Sequence, residues 1–114
     1  MVGSATVSVR NESLGAKQRR FTRMIGELIQ YAYDEGYELT FGDAYRDPRV
    51  PYGHKKSLHK KRLAIDLNLF KDGKYLTRTS DHEPLGLYWE SIGGTWGGRF
   101  EDGNHYSLEH NGMK

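Results

Sequence analysis

Three residues of the sequence, His59, Asp66 and His105, have the side-chain types that bind a catalytic metal ion. Two imidazoles and one carboxylate leave the fourth tetrahedral position of zinc open for a water molecule. The metal lowers the pKa of that water towards ~7, so that it becomes a nucleophile at neutral pH. The chain has no cysteine, which excludes disulfide frameworks, iron–sulfur clusters and cysteine nucleophiles and limits metal ligands to His, Asp and Glu.

Other polar residues lie close to these candidates in the sequence. Asp102 precedes His105 by three residues, so its carboxylate could serve as a general base towards the water. Glu101 is adjacent and is the alternative for that role. Ser57 precedes His59 by two residues and could orient this ligand by a hydrogen bond.

Alternation of polar and apolar residues places two of the candidate ligands on strands. In residues 63–70 the leucines and the isoleucine share one face, and Asp66 lies on the other. Residues 105–110 alternate in the same way, with His105 on the outward face. If these strands pair, both side chains line one open site, which the remaining histidine can reach from the end of the loop at 46–62.

The elements around these strands predict a small α+β domain, an N-terminal helix and a shorter helix packed on a mainly antiparallel sheet. Residues 1–12 are predicted as a flexible arm and residues 13–114 as the catalytic domain, since 114 residues suit one domain. The remaining predictions are a helix over 13–35, a strand over 37–45, a hairpin turn at 71–74 with a return strand at 75–76, a helix over 85–92 capped by Thr79 or Ser80 with Pro84 in its first turn, and a glycine-rich loop over 93–98.

Charge and hydropathy exclude several classes of protein. The net charge of +2 is too small to identify a partner. No stretch approaches the ~20 apolar residues that span a bilayer, and the N-terminus lacks the pattern of a secretory signal. We therefore expect a monomer that is made in the cytoplasm without a signal peptide and does not insert into membranes.

The motifs around the candidate ligands resemble those of a family of zinc peptidases. Ser57-Leu58-His59 followed by Ala64-Ile65-Asp66 is similar to its Ser-x-His and Ala-x-Asp motif, and Asp102 with His105 is similar to its second, acidic and histidine motif. The family includes D-alanyl-D-alanine carboxypeptidases and dipeptidases and the L-alanyl-D-glutamate endopeptidases of phage lysis. The resemblance extends roughly from Phe21 to Glu109.

This resemblance implies a hedgehog/DD-peptidase-like fold and a role for each matching residue. By implication His59, Asp66 and His105 bind zinc, and Asp102 is the catalytic carboxylate. Arg46, in a Tyr-Arg-Asp segment, takes the place of an arginine that holds substrate or polarises the scissile carbonyl. Arg62 stands where the family usually has glycine; if that position needs a positive φ, arginine costs about 1 kcal/mol there.

Two details are similar to the phage branch: an aspartate at 102, where the dipeptidases carry glutamate, and the segment Trp96-Gly97-Gly98 ahead of it. The first expectation is therefore an endolysin that cuts L-alanyl-D-glutamate bonds in peptidoglycan stem peptides. Such an enzyme acts on the cell wall after its release from the host, with the help of a partner that permeabilises the membrane. The alternatives are a D-Ala-D-Ala carboxypeptidase or dipeptidase, and a non-enzymatic module that binds cell wall or nucleic acid.

Several residues have competing interpretations. Arg49 is an alternative to Arg46. The histidines His54, His82 and His110 are predicted to be solvent-exposed, with His54 as a reserve ligand. The basic run Lys55, Lys56, Lys60, Lys61 and Arg62 is a solvated loop or attracts a polyanion. A nuclease is a rival interpretation, since His, Asp and Lys can also serve phosphoryl transfer. Against it, the sequence has no carboxylate-rich magnesium site and no aromatic residues set among the basic ones, so no nucleic acid is expected as partner.

Overall fold

The computed structural model describes residues 12–47, 49 and 57–114. Within these residues the chain forms two α-helices and one five-stranded sheet, which confirms the predicted α+β class. The elements are α1 (Leu14–Asp34), β1 (Glu38–Phe41), β2 (Ala64–Lys71), β3 (Lys74–Leu76), α2 (Glu83–Ser91), β4 (Thr95–Trp96) and β5 (His105–Ser107). Residues 1–11 of the predicted arm lie outside the described residues. No helix of the described part is long and apolar enough to cross a membrane.

The first helix forms where the apolar spacing predicts it, one residue shorter at each end. Ser13 caps it, since its Oγ accepts a hydrogen bond from the backbone N–H of Ala16 at 3.1 Å, an interaction worth about 1 kcal/mol. Its apolar face packs into the core through Phe21, Met24, Ile25, Leu28 and Ala32.

The sheet is built around β2, which pairs antiparallel with β1 on one edge and with β3 and β5 on the other. In this register Asp66 lies directly opposite His105. The strand predicted over 37–45 is too long, because regular pairing ends at Phe41. Beyond Phe41 the chain stays beside β2 through two backbone hydrogen bonds to Asp66. Asp66 O accepts from Gly42 N at 2.8 Å, and Asp66 N donates to Asp43 O at 2.7 Å.

The connections between the elements agree only in part with those predicted from the sequence. Asp72 and Gly73 both take positive φ, 52° and 78°, as the predicted hairpin turn requires. Pro84 lies in the first turn of α2, but the predicted cap is wrong, because Thr79 and Ser80 belong to a preceding 3₁₀ helix that ends at His82. The segment 93–98 is not a loop throughout, since it contains β4 and the start of a 3₁₀ helix, Gly97–Phe100.

The core lies between the helices and one face of the sheet. Trp89 and Trp96 are both buried in it. The indole ring of Trp96 packs directly against the backbone of Gly86 and of Gly98. A Cβ atom on Gly86 would lie 2.1 Å from the ring and one on Gly98 would lie 2.2 Å from it, so neither position has room for a side chain. The opposite face of β2, which carries Asp66, has no helix packed on it among the described residues.

His82 is buried, with 3% of its surface exposed, so the predicted exposed position is wrong. Its Nδ1 lies 2.8 Å from the hydroxyl of Tyr106 on β5. This partner is 24 residues away in sequence, which explains why local sequence could not reveal the contact. Burial lowers the pKa of His82 from 6.5 to about 4, against a smaller opposing effect of Asp81.

We expect this histidine to make the fold less stable in mild acid. A group with a lowered pKa in the folded state contributes its full stability above its unfolded pKa and loses it as the pH falls towards the folded value. Between about pH 7 and pH 4.5 the loss from His82 should be roughly 2–3 kcal/mol. Urea unfolding at both pH values checks this, with His82→Gln as a variant that cannot titrate. Equal losses in both proteins would contradict the prediction.

Candidate metal centre

Three predicted ligands meet on the face of the sheet that lies opposite the core. Asp66 Oδ1 lies 3.3 Å from Nε2 of His59 and 3.6 Å from Nδ1 of His105. One ligand atom from each residue can be chosen so that all three lie within 4.8 Å of one another. In the described part of the chain these residues form the one group that meets this condition. The structure thus brings together residues 59, 66 and 105, as the sequence interpretation expects.

The loop that carries His59 is a short 3₁₀ helix, Leu58–Lys61. Ser57 caps it, because its Oγ accepts a hydrogen bond from the backbone N–H of His59 at 3.2 Å. Ser57 therefore positions the backbone of this ligand, whereas no bond from Ser57 to the imidazole ring is seen. The loop is also joined to the segment after β1, since Arg46 N donates to His59 O at 3.2 Å.

Arg62 ends this 3₁₀ helix in the left-handed conformation, with φ 58° and ψ 36°. The position therefore has the positive φ that a glycine adopts without strain. The guanidinium of Arg62 lies 4.2 Å from the ring centroid of Tyr45, a cation–π contact worth about 0.5–1 kcal/mol at an exposed site. This contact offsets part of the cost of the arginine and joins the ligand loop to the chain beside Arg46.

We expect Arg62→Gly to be more stable than Arg62→Ala by about 1 kcal/mol, although alanine retains the larger side chain. Both variants lose the contact with Tyr45, so their difference isolates the left-handed backbone. Urea midpoints of the two proteins measure it. An alanine variant as stable as the glycine variant would mean that position 62 carries no strain.

Asp66 is ionised at neutral pH. Burial raises the pKa of its carboxyl group, but hydrogen bonds from His105 and His59 and the charge of these rings outweigh burial and bring the pKa to about 2. A carboxylate that stays negative is the form that binds a cation.

Asp102 lies at the edge of the centre, with Oδ2 3.9 Å from Nδ1 of His105 and 54% of its side chain exposed. A tight turn joins the two residues, in which His105 N donates to Asp102 O at 3.1 Å. Gly97 makes this turn possible, because a Cβ there would lie 2.2 Å from Asp102 O and 2.7 Å from the Cβ of His105. No contact of the exposed Glu101 with the three ligands is seen.

The two candidate arginines differ in their surroundings. The side chain of Arg46 is 14% exposed, and its guanidinium pairs with Asp43 at 3.1 Å. Arg49 is 90% exposed and pairs with Asp47 at 2.7 Å, so it stabilises its own turn. Arg46 is therefore the arginine that the backbone holds against the loop of His59.

The basic run is not uniformly solvated. Lys60 is buried, which contradicts that part of the prediction, whereas Lys61 and Arg62 are exposed. The surroundings of Lys60 include Asp47, whose pKa is lowered first by hydrogen bonds from Arg49 and to a smaller extent by the charge of Lys60. His54, Lys55 and Lys56 lie outside the described residues.

His110 is half-buried rather than fully exposed as predicted, and its Nδ1 lies 3.3 Å from Lys17 Nζ.

The donor set suits zinc, since two imidazoles and one carboxylate form a hydrolytic rather than a structural site. In each ring the nitrogen nearer Asp66 is the candidate ligand atom, and a cation would replace its proton. The other nitrogens, Nδ1 of His59 and Nε2 of His105, are buried and have no hydrogen-bond partner in the described part of the chain. The rings are held by packing instead, with 5.2 Å between their centroids and 5.8 Å from His105 to Phe100.

Sequence reasoning missed the polar surroundings of these ligands. A cavity beside Asp102 is lined in addition by Asn68 and Arg78. Asn68 could have been found, because it lies two residues after Asp66 on the same face of β2. Arg78 gave no such signal, since it belongs to an irregular connection after β3.

Comparison with known proteins gives a match over the part of the chain that carries the centre. A family model described as D-alanyl-D-alanine carboxypeptidase matches residues 52–108, half of the chain. This range contains all three candidate ligands and Asp102. No curated protein matches the chain.

Proposed function

Because the chain belongs to the D-alanyl-D-alanine carboxypeptidase family, we propose that it is a zinc peptidase that cuts the L-alanyl-D-glutamate bond of peptidoglycan. Membership supports a zinc-dependent peptidoglycan peptidase at the level of the family. The observation that carries the proposal is the convergence of His59, Asp66 and His105 within 4.8 Å beside an exposed Asp102.

The described residues account for the chemistry of hydrolysis. Zinc, when bound to the three ligands, supplies an electrophile that polarises a carbonyl and acidifies water. Asp102 accepts the proton of the attacking water and returns it to the leaving amine, since an exposed carboxylate can reach both groups. Arg46 stabilises the negative charge that develops on the carbonyl oxygen.

Two features favour an endopeptidase over a carboxypeptidase. Asp102 and the segment 96–98 resemble the phage branch of the family. In addition, the described residues place no helix over the face of the sheet that carries Asp66, so that among them nothing encloses a chain end as a carboxypeptidase requires. We propose accordingly that the enzyme acts as an endolysin, on the wall, after release from the cytoplasm of the host.

Mass spectrometry of purified sacculi after digestion identifies the bond. New N-terminal D-glutamate on stem peptides is the expected result. Protein treated with a chelator should give no products, and restored zinc should recover them. Both samples must be compared at equal protein concentration.

Other products would replace this proposal. Released D-alanine would identify a carboxypeptidase or dipeptidase. No products, combined with tight and salt-sensitive binding of DNA, would favour a non-enzymatic module that binds nucleic acid, because the affinity of phosphate contacts falls steeply with salt.

A further inference from the structure

The edge of β2 that carries β3 and β5 is interrupted between these strands. β3 ends where Leu76 lies opposite Leu69, and β5 begins where His105 lies opposite Asp66. Residues 67–68 lie between the two ladders. A cavity of about 210 Å³ occupies this interruption.

We call this space the edge cavity; its wall includes Leu67, Asn68, Arg78, Thr79, Asp102 and Asn104. Polar atoms make up most of the wall. The volume is below the roughly 300–1,000 Å³ of sites that enclose drug-sized ligands. The edge cavity therefore suits a single amino-acid residue rather than a folded segment.

The edge cavity adjoins the metal centre. Asp102 lines it and lies 3.9 Å from His105. Asn68 shares the face of β2 that carries Asp66, and its Oδ1 accepts a hydrogen bond from the hydroxyl of Tyr75 at 3.4 Å. A residue in the cavity would therefore lie next to the bond that the centre attacks.

The wall that carries Arg78 is attached to the turn that carries Asp102. Thr79 Oγ1 accepts a hydrogen bond from Gly103 N at 3.2 Å. A Cβ on Gly103 would lie 2.6 Å from the Cα of Thr79, so the two backbones are in close contact. The guanidinium and the carboxylate thus belong to connected segments.

Residues of opposite charge line the edge cavity. Arg78 follows β3, whereas Glu101 and Asp102 precede β5. Among the residues that the structure describes, no acidic side chain forms an ion pair with Arg78. Its guanidinium is therefore available to an anionic group of a ligand.

We propose that the edge cavity is the subsite for the residue on the leaving side of the cut bond, and that Arg78 binds the α-carboxylate of this residue. The inference rests on the proposed function. D-Glutamate in a stem peptide is linked onward through its side-chain carboxyl, so its α-carboxylate is free and lies one carbon from the amine at the cut bond. That amine would lie beside Asp102, and the carboxylate beside Arg78, which can bind it with two hydrogen bonds.

The test compares two synthetic stem peptides that differ only at this group, one with the free α-carboxylate and one with the α-carboxamide. The native enzyme should prefer the acid by about 10- to 100-fold in kcat/KM, the range for one charge-assisted contact. Arg78→Ala should abolish the preference by raising KM for the acid alone. Arg78→Lys should retain part of it. Arg23→Ala removes an exposed arginine from α1 and should keep the full preference.

The outcomes separate this inference from the proposed function. If the native enzyme cuts neither peptide nor sacculi, the proposed function fails. If it cuts them without preferring the acid, or if Arg78→Ala retains the preference, the subsite is wrong while the peptidase stands. An equal loss on both peptides in Arg78→Ala would indicate a structural role and would also overturn the assignment.

Discussion

His59→Ala and His105→Ala are each expected to abolish zinc binding and peptidase activity together. Either change removes one of three ligands whose atoms lie within 4.8 Å of one another, and two ligands do not make a hydrolytic zinc site. The affinity for zinc should fall by at least about 100-fold, since even the loss of a group that only supports a ligand costs 10- to 100-fold. Metal content after purification and zinc titration measure the loss, and digestion of sacculi measures activity.

His110→Ala is the matched control, because it removes an imidazole that contacts Lys17 rather than the centre. It should retain both metal and activity. Circular dichroism of all three variants shows whether the fold is kept. A folded His59→Ala protein with a full zinc content would disprove the proposed centre, whatever its activity.

Asp102→Ala should lose activity while keeping zinc. Its carboxylate lies 3.9 Å from His105 and is 54% exposed, so it can move protons without being needed as a ligand. Loss of a general base costs typically 10²- to 10⁴-fold in rate. The fall should appear in kcat, measured at saturating stem peptide, and zinc content should equal that of the native protein.

Glu101→Ala is the companion variant, because it removes the neighbouring carboxylate from the same turn. It should retain most of the activity. If Asp102→Ala keeps full turnover and Glu101→Ala loses it, the general base is Glu101. If both variants and the double variant Asp102→Ala/Glu101→Ala keep full turnover, neither carboxylate transfers the proton.

The placement of the candidate ligands Asp66 and His105 could be predicted because it depends on strand alternation. Asp66 and His105 each lie on the face opposite a row of apolar residues, and antiparallel pairing places them directly opposite each other. The apolar spacing of α1 was equally informative, since it marks the buried face along the whole helix. Patterns of this kind are local and repeat several times, so single exceptions do not hide them.

The errors arose where distant contacts decide the structure. His82 is buried and its Nδ1 lies 2.8 Å from the hydroxyl of Tyr106, and nothing next to His82 in sequence indicates this partner. The strand was predicted through Tyr45 because the aromatic composition continues to that residue. The regular pairing with β2 ends at Phe41. Arg78 lies in an irregular segment, and only the path of the chain brings it to the edge cavity.

The close packing of Trp96 against Gly86 and Gly98 restricts which substitutions this sequence can accept. The backbones of Gly86 and Gly98 are both in close contact with the indole of Trp96. The indole Nε1 donates to Gly103 O at 2.8 Å, on the turn beside Asp102. A side chain at either glycine is therefore compatible only with a smaller residue in place of the tryptophan. In evolution, Gly86, Gly98 and Trp96 would therefore have to change together. Each such change would remove the hydrogen bond from Trp96 to the turn that carries Asp102, the proposed general base.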